Sequence, residues 1–120
     1  MKSEKANKKI DSILKKISKK NAQLSTIIED LKELRSFALE EQDPRVTKVI
    51  RLCYEYIQEN DCFDITVQKE EDEEGNEFVI EPGTDVENMT YFLELIRHST
   101  NKYNREELGE YRDILKEELY

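Results

Sequence analysis

A predominantly helical α+β fold is predicted by three observations. An apolar seam repeats every three and a half residues through the first third of the chain, and Asp43-Pro44 reads as a helix start. A single alternating apolar segment at Phe63, Ile65 and Val67 precedes a turn-forming Gly75-Asn76 pair. The expected order is a long N-terminal heptad-patterned helix, three shorter helices, and one β-hairpin between the second and third helices.

The seam sets Ile10, Ile13, Ile17, Leu24, Ile27, Leu31, Leu34 and Ala38 at a and d positions, with Lys20 and Glu41 interrupting it. As one uninterrupted helix from Lys8 to Glu41 it would extend on the order of 50 Å. A compact body of this chain length is roughly 35 Å across, so the helix either overhangs its own domain or breaks. Asp43 can cap a second helix and Pro44 fits its first position, where a missing N–H costs nothing. That helix should run to about Asn60 with Val46, Val49, Ile50, Cys53 and Ile57 in one stripe.

Phe63, Ile65 and Val67 alternate with Asp64, Thr66 and Gln68, the period of a half-buried strand, and Glu77 to Glu81 can return as its partner. Thr84-Asp85-Val86-Glu87 has the spacing of a capping box, and Val86, Met89, Phe92, Leu93 and Ile96 follow at helical intervals. Asn104-Arg105-Glu106-Glu107 is a plausible cap for a last helix carrying Leu108, Tyr111, Leu115 and Leu119 on one side. The boundary expected from this order falls at Asp43-Pro44, between a projecting coiled-coil-like helix at 1–42 and a compact unit at 43–120.

Charge is distributed more tellingly than the net value of -9 suggests. Met1 to Lys20 holds eight lysines against Glu4 and Asp11, a local +6, while the remaining hundred residues hold 11 cations against 26 acids, or -15. On a helical wheel Lys8, Lys9, Lys15, Lys16, Lys19 and Lys20 oppose the isoleucines and form a basic face. No signal-peptide pattern or spanning apolar run is evident, so a cytoplasmic protein without a membrane association is expected, with Cys53 and Cys62 reduced.

Three constellations bear on chemistry. Glu70, Asp72, Glu74, Gly75 and Glu81 occupy positions 1, 3, 5, 6 and 12 of a twelve-residue calcium loop, but strand-like sequence flanks them where that motif needs helices. A solvated acidic turn that discourages edge pairing is the expectation. Glu29, Asp30 and Glu33, with Glu106, Glu107, Glu110 and Asp113, are acids one helical turn apart. In those short patterns alone the chain resembles the all-helical nucleotide pyrophosphohydrolases, whose acids hold magnesium. The separation of the two clusters is much longer than that family uses, and acidic first turns also serve helix dipoles. Cys53, Cys62 and His98 lack a zinc-ligand spacing. No enzymatic activity, metal or cofactor is expected.

What remains is a non-enzymatic, self-associating interaction protein, regulatory or adaptor-like, acting through helix packing and an acidic surface. Ile10, Ile13, Ile17, Leu24, Ile27, Leu31 and Leu34 are the expected self-association residues of a homodimer or larger assembly. Leu14 and Ile28 widen the seam toward a helical bundle, and the opposing reading packs the helix wholly on its own domain. Glu70, Glu71, Asp72, Glu73 and Glu74 form the expected acidic surface for a basic protein partner. The alternatives are an acidic, phosphate-mimicking inhibitor of a nucleic-acid-handling enzyme, of the kind phages encode, or a weak nucleic-acid binder working through the lysine-rich end. Lysine without arginine or aromatic side chains offers only salt-sensitive attraction, so nucleic acid is not the expected partner.

Overall fold

The computed structural model describes residues 1–120. Its helices are α1 (Glu4–Ile17), α2 (Ile28–Glu40), α3 (Pro44–Asn60), α4 (Asp85–Arg97) and α5 (Lys102–Leu119), and its strands are β1 (Lys69–Glu71) and β2 (Glu77–Val79). A predominantly helical chain with a single antiparallel hairpin is therefore what forms. The first helix is not continuous. It stops at Ile17, and a single 3-10 turn at Leu24–Ile27 leads into α2.

The break falls where the seam loses an apolar residue at Lys20. Ser18 caps α1, and Asn21 adopts a left-handed conformation at φ 63°, which asparagine tolerates better than most residues because its short side chain bonds locally. The chain then folds back, and α1 and α2 run antiparallel: Lys9 pairs with Glu33 at 2.7 Å, while Lys16, further along α1, pairs with Asp30 at 2.6 Å. The seam survives the break and closes inside one chain. All its a and d residues are at most 6% exposed and join one apolar cluster that runs from Met1 to Leu115. Residues 1–42 thus supply part of a common core instead of projecting from a unit at 43–120, and Asp43-Pro44 is a turn between packed helices.

Helix α3 lies at the centre, with α2 on one side and α5 on the other. Its start is as the sequence predicts: Asp43 accepts from the Val46 N–H, and Pro44 sits at the first turn. Its broad apolar face, from Val46 through Val49, Ile50 and Cys53 to Ile57, is buried. Asp43 also accepts two hydrogen bonds from Arg105 on α5, at 2.8 and 3.1 Å. Phe63, Phe92 and Tyr111 close the core beneath, with ring centroids 5.1 to 6.3 Å apart.

Two boundaries differ from expectation. Phe63, Ile65 and Val67 are buried, but so is Thr66, and their segment joins no ladder; pairing begins only at Lys69 opposite Val79. Continuing that register would bring Thr66 against Pro82, which has no N–H to donate. Side chains hold the segment instead: the Phe63 N–H donates to Asp85 Oδ1, and Asn88 Nδ2 donates to the Phe63 carbonyl. Helix α5 starts a turn earlier than expected, because Asn101 accepts from the N–H groups of Tyr103 and Asn104. The capping box at Thr84 and Glu87 forms as read from the sequence.

Two stability predictions follow from these contacts. Ile27→Ala should cost about 2–5 kcal/mol, the usual range for emptying a buried aliphatic site, and the loss in a urea melt should be the same at 2 and at 50 μM protein. A loss that grows on dilution would instead place Ile27 between chains. The second concerns acid. Arg105 holds the Asp43 carboxyl below the ordinary aspartate range, so this pair's contribution is complete above about pH 4 and fades as pH falls through the lower folded value. Between pH 5 and 2 the urea midpoint of Asp43→Asn should fall less steeply than that of the wild type. Asp43→Ala, which also removes the cap, should cost a further ~1 kcal/mol at pH 7.

Candidate functional site

Two surfaces of opposite charge stand outside the core. The first is the hairpin. Every residue from Lys69 to Val79 is exposed, including Phe78 at 48% and Val79 at 56%. The tip is held by Asp72, whose Oδ1 accepts from the Glu74 and Asn76 N–H groups at 2.9 Å each, while Gly75 takes φ +84°, a conformation that side chains disfavour. The backbone N–H of Asn76, with that of Glu74, keeps the Asp72 carboxyl below its ordinary range. Glu70, Glu71, Glu73 and Glu74 have no cation within ion-pair distance. At the base, Lys69 Nζ meets Glu110 on α5 at 2.9 Å and ties the arm to the body.

The lysine-rich end is only partly a free surface. Lys9 and Lys16 turn onto Asp30 at 3.4 and 2.6 Å, and burial, which would push that carboxyl up, is outweighed by their hydrogen bonds, which hold it down. Lys8, Lys15, Lys19 and Lys20 are exposed. The seam residues Ile10, Ile13, Ile17, Leu24, Ile27, Leu31 and Leu34 are enclosed and present no stripe to a second copy, so the premise for pairing through them is gone.

The acids of α2 and α5 are not brought together. Asp30 and Glu33 answer lysines of α1, Glu107 accepts from the Tyr91 hydroxyl at 2.6 Å, and Glu110 meets Lys69. No three side chains among His, Cys, Asp and Glu converge in a metal-binding arrangement. Cys53 is buried and Cys62 partly exposed, and both are free. His98 caps the C-terminus of α4 with its Nε2 3.7 Å from Glu94.

The second surface was not singled out from the sequence. Five of the six arginines, Arg35, Arg45, Arg51, Arg105 and Arg112, line two adjoining cavities of about 410 and 500 Å³ between α2, α3 and α5, and both cavities share Pro44 and Lys48. Lys116 adds a further cation, and Asp43 and Asp113 are the only acids. Arg105 is spent on Asp43, and Arg112 sits 3.1 Å from Asp113. Arg35, Arg45, Lys48 and Lys116 have no carboxylate within ion-pair distance, and the nearest to Arg51 Nε is Glu55 at 3.8 Å. The Nε atoms of Arg35 and Arg51 are closed off from solvent and donate to no protein atom. A legible signal existed: Arg45, Lys48 and Arg51 recur every three residues on the polar side of α3. The convergence with α2 and α5 was not in it.

Comparison with family models, with curated proteins and with solved structures returns no match. No helix is long and apolar enough to cross a membrane.

Because the Asp72 oxygens already serve the turn's own N–H groups and Glu81 lies beyond β2, the acidic loop has no assembled calcium cage. Millimolar calcium should leave the melting temperature unchanged in a thermal scan. A rise of several degrees that Glu81→Gln abolishes would show that the loop closes on the ion.

Proposed function

We propose that this chain is a non-enzymatic interaction protein, regulatory or adaptor-like, that recognises a partner of basic surface through its acidic arm. The observation that carries this reading is the arm itself: four unpaired glutamates beside an exposed phenylalanine and valine, on a hydrogen-bonded turn whose base is tied to α5. Carboxylates steer and orient an encounter more than they strengthen it. Phe78 and Val79 supply the apolar anchor, each worth roughly 1.5–3 kcal/mol when fully covered, and the outer edges of a two-stranded ladder leave backbone groups for a partner strand. The seam is consumed in the core, so association, including any self-association, belongs to the surface.

Asp72 should be kept in any test, since it holds the turn. Three variants answer the question in affinity isolation from the source cells: Glu70, Glu71, Glu73 and Glu74 to Gln; Phe78→Ser with Val79→Ser; and Lys15, Lys19 and Lys20 to Gln. The expected outcome is a protein retained by the wild type and by the lysine variant, lost from both arm variants, and released from the wild type as salt rises. Circular dichroism should show all three folded. The same proteins retained by all four forms would overturn the reading.

A further inference from the structure

We infer that the arginine-lined groove between α2, α3 and α5 is a binding site for a compact ligand carrying two or more phosphate groups. In a chain of net charge -9, four cations drawn from three different helices stand together here without carboxylate partners. Like charges repel, and 28 acids were available to neutralise them. Arginine rather than lysine dominates the groove, whereas lysine dominates the exposed N-terminal end, and the planar guanidinium fork matches phosphate oxygens where an ammonium offers only a point charge.

The groove is also partly organised in advance. Arg45 Nη1 donates to the Arg105 carbonyl at 2.9 Å, which fixes one edge of its guanidinium. Arg35 and Arg51 both line the first lobe, and their Nε atoms make no hydrogen bond within the protein. Each lobe contains more positive charge than one carboxylate can neutralise: Arg35, Lys48 and Arg51 in one, Arg45, Lys48 and Lys116 in the other. The shared Lys48 makes the pair of lobes suited to linked phosphates, and exposed Leu39 gives the first lobe its one apolar wall. Asp43 and Asp113 at the groove, and the acidic remainder of the molecule, disfavour a long duplex lying across it.

Isothermal titration at about 100 mM salt tests this with inorganic tripolyphosphate, adenosine triphosphate, a 12-nucleotide single strand, and a peptide copying residues 68–80 of this chain. Tripolyphosphate should bind with one-to-one stoichiometry. Arg35→Gln with Arg51→Gln should weaken it at least tenfold, as should Lys48→Gln with Lys116→Gln, a pair with no buried unpaired donor of its own. Lys15→Gln with Lys19→Gln should change nothing. Equal affinity for adenosine triphosphate would mean that the groove reads phosphates alone, and tighter binding that Leu39→Ser reduces would identify a nucleotide; either supports the site. Absence of tripolyphosphate binding, binding that survives both groove variants, or binding of the peptide alone would overturn it. So would a single strand held more tightly than tripolyphosphate and lost with the lysine variant.

Discussion

Everything in this fold is referred to α3, and the meeting of Asp43 with Arg105 is the point at which its position is fixed. One carboxylate caps the start of α3 through the Val46 N–H and receives two hydrogen bonds from the guanidinium of α5. Because only Glu41 and Gln42 separate the end of α2 from Asp43, the same short turn brings α2, α3 and α5 to one junction. Charge-assisted bonds in a partly buried setting are directional as well as strong. The apolar faces then need only fill the space that this junction defines.

That junction also explains the arginine groove. The contact holds three helix segments close and consumes Arg105, Arg112 turns to its neighbour Asp113, and Arg35, Arg45, Lys48 and Lys116 are left without a carboxylate partner. On α5 the crowded positions and the arm's anchor lie on different sides: with 3.6 residues per turn, Glu110 stands roughly 200° around the helix from Arg112. The acidic arm and the cationic groove therefore flank the same helix and do not neutralise one another. Separated surfaces of opposite sign are what the two proposals rest on, one working by carboxylates and apolar anchors, the other by guanidinium forks.

The N-terminal seam shows how a periodic pattern and its use can part company. A heptad repeat states that one face of a helix must be covered; it does not state by what. Here Asn21 turns the chain, and the Lys9–Glu33 and Lys16–Asp30 pairs set the two halves antiparallel, so α1 and α2 pack on each other and on the common core. Lysines that look like a solvent-facing stripe on a wheel include two that are structural pins.

The sequence by itself determined the class of fold, the start of α3, the capping box of α4, the turn of the hairpin and most of the buried apolar residues, because caps, turns and hydrophobic period are local and act within a few residues of themselves. It read Phe63 to Val67 as a strand partnered by Glu77 to Glu81, whereas the ladder begins at Lys69: alternation signals burial without saying whether a partner follows, and Pro82 has no N–H to offer opposite Thr66. Only the tertiary structure decided that the seam closes within one chain, that the acids of α2 and α5 serve separate ion pairs and hydrogen bonds, and that five arginines scattered over 78 positions line one groove. Those outcomes depend on which surfaces meet at long range, and a charge in the sequence shows no sign of the partner it will or will not find.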